Sequence, residues 1–304
     1  MRCRHSSHTW WWSAESVDDA RRQYLGRLEK VGYAPCFMPD GTPCSVTASG
    51  TSPDRVFIVS LPKAGTYLAA EVMAALGVQS SRLHVDDGWV SDFRQYRKGT
   101  KMWKYQFEMP VEDALALVQP GQFAVGHLPC SAAVRRALDG FSQVFIFREL
   151  RHVFMSWGRF VIAEEMDGRA TEAARTLPDG PERVHWVLNL KSSEWLASTC
   201  RDMVAWRRAP GVLPIRFEDL VGENGADAQD RAVDALARHL RLPFDEGARR
   251  AARACVGVDT LTWSGSRSGL DTYWDGKLED WFRSVGGPDL NIALGYAEGS
   301  AKAP

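Results

Sequence analysis

The chain has 304 residues, 45% of them apolar, enough for one large α/β domain or two small ones with a substantial core. Its net charge of −1 argues against bulk nucleic-acid binding, while a local basic pocket stays open. Six scattered cysteines (Cys3, Cys36, Cys44, Cys130, Cys200 and Cys255) lack metal-ligand spacing; with no apolar leader and no membrane-length run, a reduced, cytoplasmic protein is expected.

In chain order, Ser16 caps an expected helix over Val17–Val31, and residues 35–53, rich in Pro, Gly, Ser and Thr, form a loop. The apolar run Val56–Val59 predicts a buried strand. Pro62 and Gly65 then turn the chain, and Thr66 opens an amphipathic helix that ends near Gly77. Residues 80–107 read as an irregular excursion, with Trp89, Phe93, Tyr96, Trp103, Tyr105 and Phe107 as surface or pocket-wall material. Pro110 opens a helix over Val111–Val118, followed by a short strand Gln122–Val125, a helix Ser131–Leu138 and a strong strand Gln143–Phe147. A helix continues through His152 to about Ala163. Residues 165–185 read as a mobile loop and 186–208 as one helix. A strand Val212–Phe217, helices Ala226–Leu240 and Glu246–Ala254, a Gly/Ser loop at 264–269 and an aromatic stretch Tyr273–Phe282 complete the chain, without internal repeats. Strands alternating with helices indicate a parallel sheet covered on both faces.

The chemistry concentrates at strand ends. A strand, a tight loop and a helix N-terminus form an anion site, and Lys63 adds a full charge there. The loop is not a Walker A loop, because its lysine precedes the last glycine and no Gly-Lys-Ser/Thr follows. Arg148 directly follows a second buried strand, with Arg151 and Ser156 beyond it. Ligands bind at the carboxyl ends of strands in open parallel sheets, so two cationic strand ends favour a bis-anionic ligand over a surface ion pair for Arg148. His127 also follows a strand. A structural histidine is the plain alternative, but its position on the ligand edge favours proton transfer.

Ser60-Leu-Pro-Lys-Ala-Gly-Thr-Tyr-Leu68 resembles the 5′-phosphosulfate loop of the sulfotransferases that use 3′-phosphoadenosine 5′-phosphosulfate (PAPS). Phe147–Phe160 resembles their 3′-phosphate motif, with an arginine and a serine eight residues apart. Gly126-His-Leu-Pro129, Ile215–Leu220 and Arg267-Ser-Gly269 are similar to the segments carrying the catalytic histidine, flanking the adenine and closing on the 3′-phosphate. The resemblance covers roughly residues 55–285. It implies an α/β fold of the cytosolic sulfotransferase type: a three-layer, P-loop-like domain with a central, mostly parallel sheet flanked by helices. One domain over 1–304 is expected, with an extension at 1–53, a core at 54–285 and a tail at 286–304.

Carried over residue by residue, the resemblance gives Lys63, the Thr66 hydroxyl and the N–H groups of Ala64, Gly65, Thr66 and Tyr67 to the 5′-phosphosulfate. Arg148 and Ser156 hold the 3′-phosphate, Arg267, Ser268 and Gly269 close over it, and Phe217 lies near the adenine. His127 takes the acceptor's proton, Lys63 stabilises the leaving oxygen, adenosine 3′,5′-bisphosphate (PAP) is the product, and no metal is expected. The chain departs from the family at Leu68, where an adenine-stacking tryptophan is usual, and at Val125, where a lysine is usual. Lys101 or Lys104 is a possible substitute for that lysine; Ser268 stands for lysine, and Phe217 lacks a tyrosine hydroxyl. A nucleotide-dependent phosphotransferase or kinase, and a non-catalytic PAP- or PAPS-binding protein, remain alternatives. Aromatics at 89–107 and 157–206, with Asp86, Asp87, Glu164 and Glu165, suggest a small, partly aromatic or cationic acceptor. Its class (phenol, alcohol, amine, sugar or lipid headgroup) and the oligomeric state are not encoded in any motif. No nucleic-acid partner and no membrane span are expected.

Overall fold

The computed structural model describes residues 54–93, 106–164, 168–243, 245–257 and 269–296. The expected N-terminal helix at 17–31, Lys101, Lys104, Glu165, Arg267 and Ser268 lie outside them. Among the described residues seven strands form one sheet: β1 Arg55–Ser60, β2 Gln79–Asp86, β3 Trp89–Asp92, β4 Gln106–Glu108, β5 Gln122–Gly126, β6 Phe141–Phe147 and β7 Val212–Arg216, in the order β4-β3-β2-β5-β1-β6-β7. Five strands, from β2 to β7, run parallel, and β3 and β4 add an antiparallel edge. The mixed α/β architecture with a mostly parallel sheet flanked by helices is therefore as expected.

Side chains alternate across the central strands and both faces are covered, which is why these strands read as continuous apolar runs. Val56 and Ile58 of β1 point with Val144 and Ile146 of β6 into one core. There they meet Val72 and Met73 of helix α1 (Thr66–Ala75) and Val233 and Leu236 of Ala226–His239. Phe57 and Val59 point the other way with Phe145 and Phe147, against Val153, Phe154 and Trp157 of Leu150–Glu164. The chain leaves β1 toward the β2 side of the sheet and leaves β6 toward β7. That divergence opens a crevice at the carboxyl ends of β1 and β6, the switch point at which such sheets bind ligands.

Three segments differ from expectation. Residues 79–92 are not an irregular excursion but two paired strands, β2 and β3, with β4 beyond. Their inward positions carry Ser81, His84, Ser91 and Asp92, all buried, so hydrophobic alternation is masked. Residues 169–188 are not a loop but two helices, Arg169–Arg175 and Pro181–Leu188; a third, Lys191–Met203, passes into a 3₁₀ turn at Val204–Arg208. Within the expected tail, residues 287–293 form a helix for which no secondary structure was predicted. Asn291 accepts a hydrogen bond from the Leu150 N–H (3.0 Å), and Tyr296 donates to Glu218 (2.8 Å), tying this segment to the ends of β6 and β7.

Candidate functional site

Lys63, His127 and Arg148 emerge from the carboxyl ends of β1, β5 and β6, three strands that lie side by side. The sheet thus brings together residues separated by 85 positions, Lys63 to Arg148.

The loop after β1 is tightly wound. Lys63 has φ +62° and Gly65 φ +96°, and the Ala64 N–H is donated to the Leu61 carbonyl (3.1 Å). Of the four N–H groups expected to face an anion, that of Ala64 is therefore committed within the turn. Gly65 caps α1 in the left-handed region, which glycine enters without a β-carbon penalty. Thr66 is buried, and its hydroxyl lies 2.7 Å from Ser60 Oγ, closing the loop across its base. The Lys63 amine lies over the Phe160 ring (4.1 Å). Burial pushes it down to about 8, and the Glu164 carboxylate pulls the other way.

His127 is held on all sides. Its Nδ1 lies 2.7 Å from the Ser60 carbonyl, which can only accept, so the proton resides on Nδ1 and the Nε2 lone pair is left for chemistry. Its backbone N–H donates to Asp86 Oδ1 (3.1 Å), and the next carbonyl, of Leu128, accepts from the buried Trp206 indole (2.8 Å). Gly126 is required just before it: a β-carbon there would lie 1.8 Å from the Val85 carbonyl oxygen. Burial pushes His127 down to about 4, with His84 and Lys63 acting in the same direction and Asp86 and the Ser60 carbonyl opposing. The ring is neutral at pH 7 and able to accept a proton.

Two residues join this site without any local motif. β2 and β5 lose register between Ser80 and His84, where Arg82 takes φ +61°, and the irregularity sets His84 opposite Val125. The His84 ring packs edge-on against His127 with 4.6 Å between centroids. Its Nε2 lies 3.2 Å from Asp86 Oδ1 and its Nδ1 3.0 Å from the Tyr67 hydroxyl. Asp86, read as a residue facing the acceptor, instead holds His127. Burial alone would raise its carboxyl, but the His84 ring, the His127 ring and the His127 N–H hold it at about 2. The Tyr67 side chain turns toward His84 and Phe93.

At the end of β6, the Arg148 guanidinium lies over the Phe217 ring (4.2 Å), and the Cδ2–Cε2 edge of that ring fills the space beside Gly65. Phe217 is therefore buried between the loop after β1 and Arg148. The buried Nε of Arg148 has no hydrogen-bond partner among the described residues. A buried, unpaired guanidinium nitrogen is costly, and an anion at the crevice would satisfy it. Burial lowers the Arg148 pKa, and the nearby Glu218, Glu223, Tyr296 and Glu149 offset part of that. Ser156 lies two helical turns on, half-buried, along the Leu150–Glu164 helix. Gly269 precedes the short helix Leu270–Tyr273.

Among solved structures, the chain is similar to a mouse sulfotransferase, SULT7A1, complexed with PAP. The match covers 82% of this chain and 91% of that one at 14% identity, with a TM-score of 0.47. At that level the likeness assigns no activity. No family model and no curated protein matches the chain.

Proposed function

We propose that this chain is a sulfotransferase that transfers a sulfuryl group from PAPS to a hydroxyl or amine of a small molecule. The observation that carries the reading is the adjacency of Lys63, His127 and Arg148 on three neighbouring strand ends, with an unpaired buried nitrogen on Arg148. Two anion-binding elements at one crevice suit a nucleotide phosphorylated at both ends, and a neutral histidine on the strand end beside that of Lys63 suits a nucleophile that must lose a proton.

Lys63, the Thr66 hydroxyl and the first N–H groups of α1 hold the 5′-phosphosulfate. Arg148 and Ser156 hold the 3′-phosphate; the part that the resemblance gives Arg267, Ser268 and Gly269 there rests on the sequence alone. The acceptor oxygen attacks sulfur in line as its proton passes to His127 Nε2. The new O–S bond forms while the bond from sulfur to the bridging oxygen breaks, and that electron pair stays on the 5′-phosphate of PAP. Lys63 offsets the charge that develops there, so the protein acts by positioning and electrostatic stabilisation. The donor's negative charge raises His127 from its low resting value, strengthening it as a base once the ternary complex forms.

The reading is tested by incubating the full chain with PAPS and a panel of phenols, alcohols and amines while following PAP release. Acceptor-dependent release supports it. Tight PAP binding with no turnover across the panel supports a binding protein instead, and turnover of ATP in place of PAPS a phosphotransferase.

A further inference from the structure

We infer that His84, Asp86 and His127 form a binding site for one divalent transition-metal ion of the zinc type. The three side chains each present one ligand atom, and these atoms all lie within 4.8 Å of one another. A tetrahedral ion with bonds of about 2.0–2.1 Å keeps its ligands about 3.3 Å apart. His84 Nε2 and Asp86 Oδ1 already stand at 3.2 Å. His84 and Asp86 sit two apart on β2, on the same face of the strand, and His127 arrives from the end of β5. Binding then requires the remaining pairs, at up to 4.8 Å, to close toward that spacing.

Both imidazoles carry the outer hydrogen bonds that orient metal-binding histidines. His127 donates Nδ1–H to the Ser60 carbonyl, which leaves its Nε2 unprotonated as the available ligand atom. His84 Nδ1 meets the Tyr67 hydroxyl, so its Nε2 can serve as a ligand while Nδ1–H is donated to that oxygen. The second hydrogen bond at Asp86, from the His127 N–H, holds the carboxylate in place. Two nitrogens and one carboxylate oxygen suit Zn²⁺, Co²⁺ or Ni²⁺ better than Mg²⁺ or Ca²⁺, which prefer oxygen ligands. The carboxylate's negative charge favours the cation, and Lys63, the nearby positive group, has its amine over Phe160 and under the influence of Glu164.

The site stands on ligand geometry alone. Its consequence for transfer rests on the role proposed for His127: a bound ion takes the Nε2 lone pair, so Zn²⁺ would inhibit and a chelator would restore turnover.

The test titrates Zn²⁺ alone into the full, metal-stripped chain by calorimetry, and Co²⁺ by absorption spectroscopy. The expected result is one ion per chain, a Co²⁺ spectrum without a thiolate charge-transfer band, and affinity weakened about tenfold or more by His84→Gln and by Asp86→Asn. Thermal melts of both variants check folding, and if one fails to fold, the other and the Co²⁺ spectrum decide. No stoichiometric binding, a thiolate band, or unchanged affinity in a folded variant overturns the site. Stoichiometric Zn²⁺ binding that leaves transfer unaffected supports the metal site and counts against His127 as the base.

Discussion

The Phe217 ring lies so close to Gly65 that a β-carbon at Gly65 would approach it to 2.4 Å. The same ring carries the Arg148 guanidinium at 4.2 Å. One aromatic side chain thus sets the spacing between the loop after β1 and the arginine after β6. Gly65→Ala combines a left-handed φ with this clash, and a loss of about 1–3 kcal/mol in stability is expected. Phe217→Leu keeps the fold and removes the surface under Arg148, a change of about 0.5–2 kcal/mol in PAP binding. Urea denaturation and calorimetry with PAP separate the two effects; equal PAP affinity in Phe217→Leu and the parent chain would contradict the coupling.

Arg148→Ala should weaken PAP by about 1.5–3 kcal/mol, the range for a hydrogen bond to a charged group. Adenosine 5′-monophosphate lacks the 3′-phosphate, so its affinity should barely change. Calorimetry with both nucleotides checks the assignment, and equal losses for the two would place Arg148 elsewhere on the ligand.

Gly126→Ala places a methyl group 1.8 Å from a backbone oxygen of the neighbouring strand, where no side chain can yield. β2 and β5 must part, and a destabilisation of about 3 kcal/mol or more is expected. Because His127 follows directly, any folded protein should also lose transfer activity. A thermal melt within a degree of the parent chain would refute the close approach.

His127 and His152 are both pushed down to about 4, each chiefly by burial; for His152 the charges of Arg148 and Arg151 act in the same direction. Unfolded histidine titrates near 6.5, so between these values the unfolded chain binds more protons. Stability is complete above about pH 6.5 and falls as the pH drops toward 4. At about 1.4 kcal/mol per pKa unit, each ring contributes at most about 3.5 kcal/mol to that fall. Urea melts from pH 7 to 4.5 should show a shallower decline for His152→Asn than for the parent chain. Parallel curves would show that His152 is not suppressed in the fold.

The unit from β1 to α1 was readable because each level agrees: an apolar run, Pro62 and Gly65 in the turn, and a helix opened by Thr66. Arg148 was readable for a similar reason, as a charge ending the run Val144–Phe147. β2 and β3 were not, because the site places polar side chains on their buried positions and a left-handed Arg82 breaks the alternation. The helix at 287–293 was hidden behind Gly286-Gly287-Pro288, which reads as a breaker although proline suits a first helical turn. His84 carries no local signal at all. Only the pairing of His84 with Val125 sets it beside His127, and that register is a property of the folded sheet.

His127 is proposed to take the acceptor's proton, and one paired measurement tests that role most directly. PAP release from PAPS with a turned-over acceptor is followed for the parent chain and for His127→Ala, alongside PAP affinity by calorimetry. The expected result is loss of transfer by about 10²-fold or more with PAP affinity nearly unchanged. A His127→Ala protein that keeps most of its transfer activity, or one that no longer binds PAP, would contradict it.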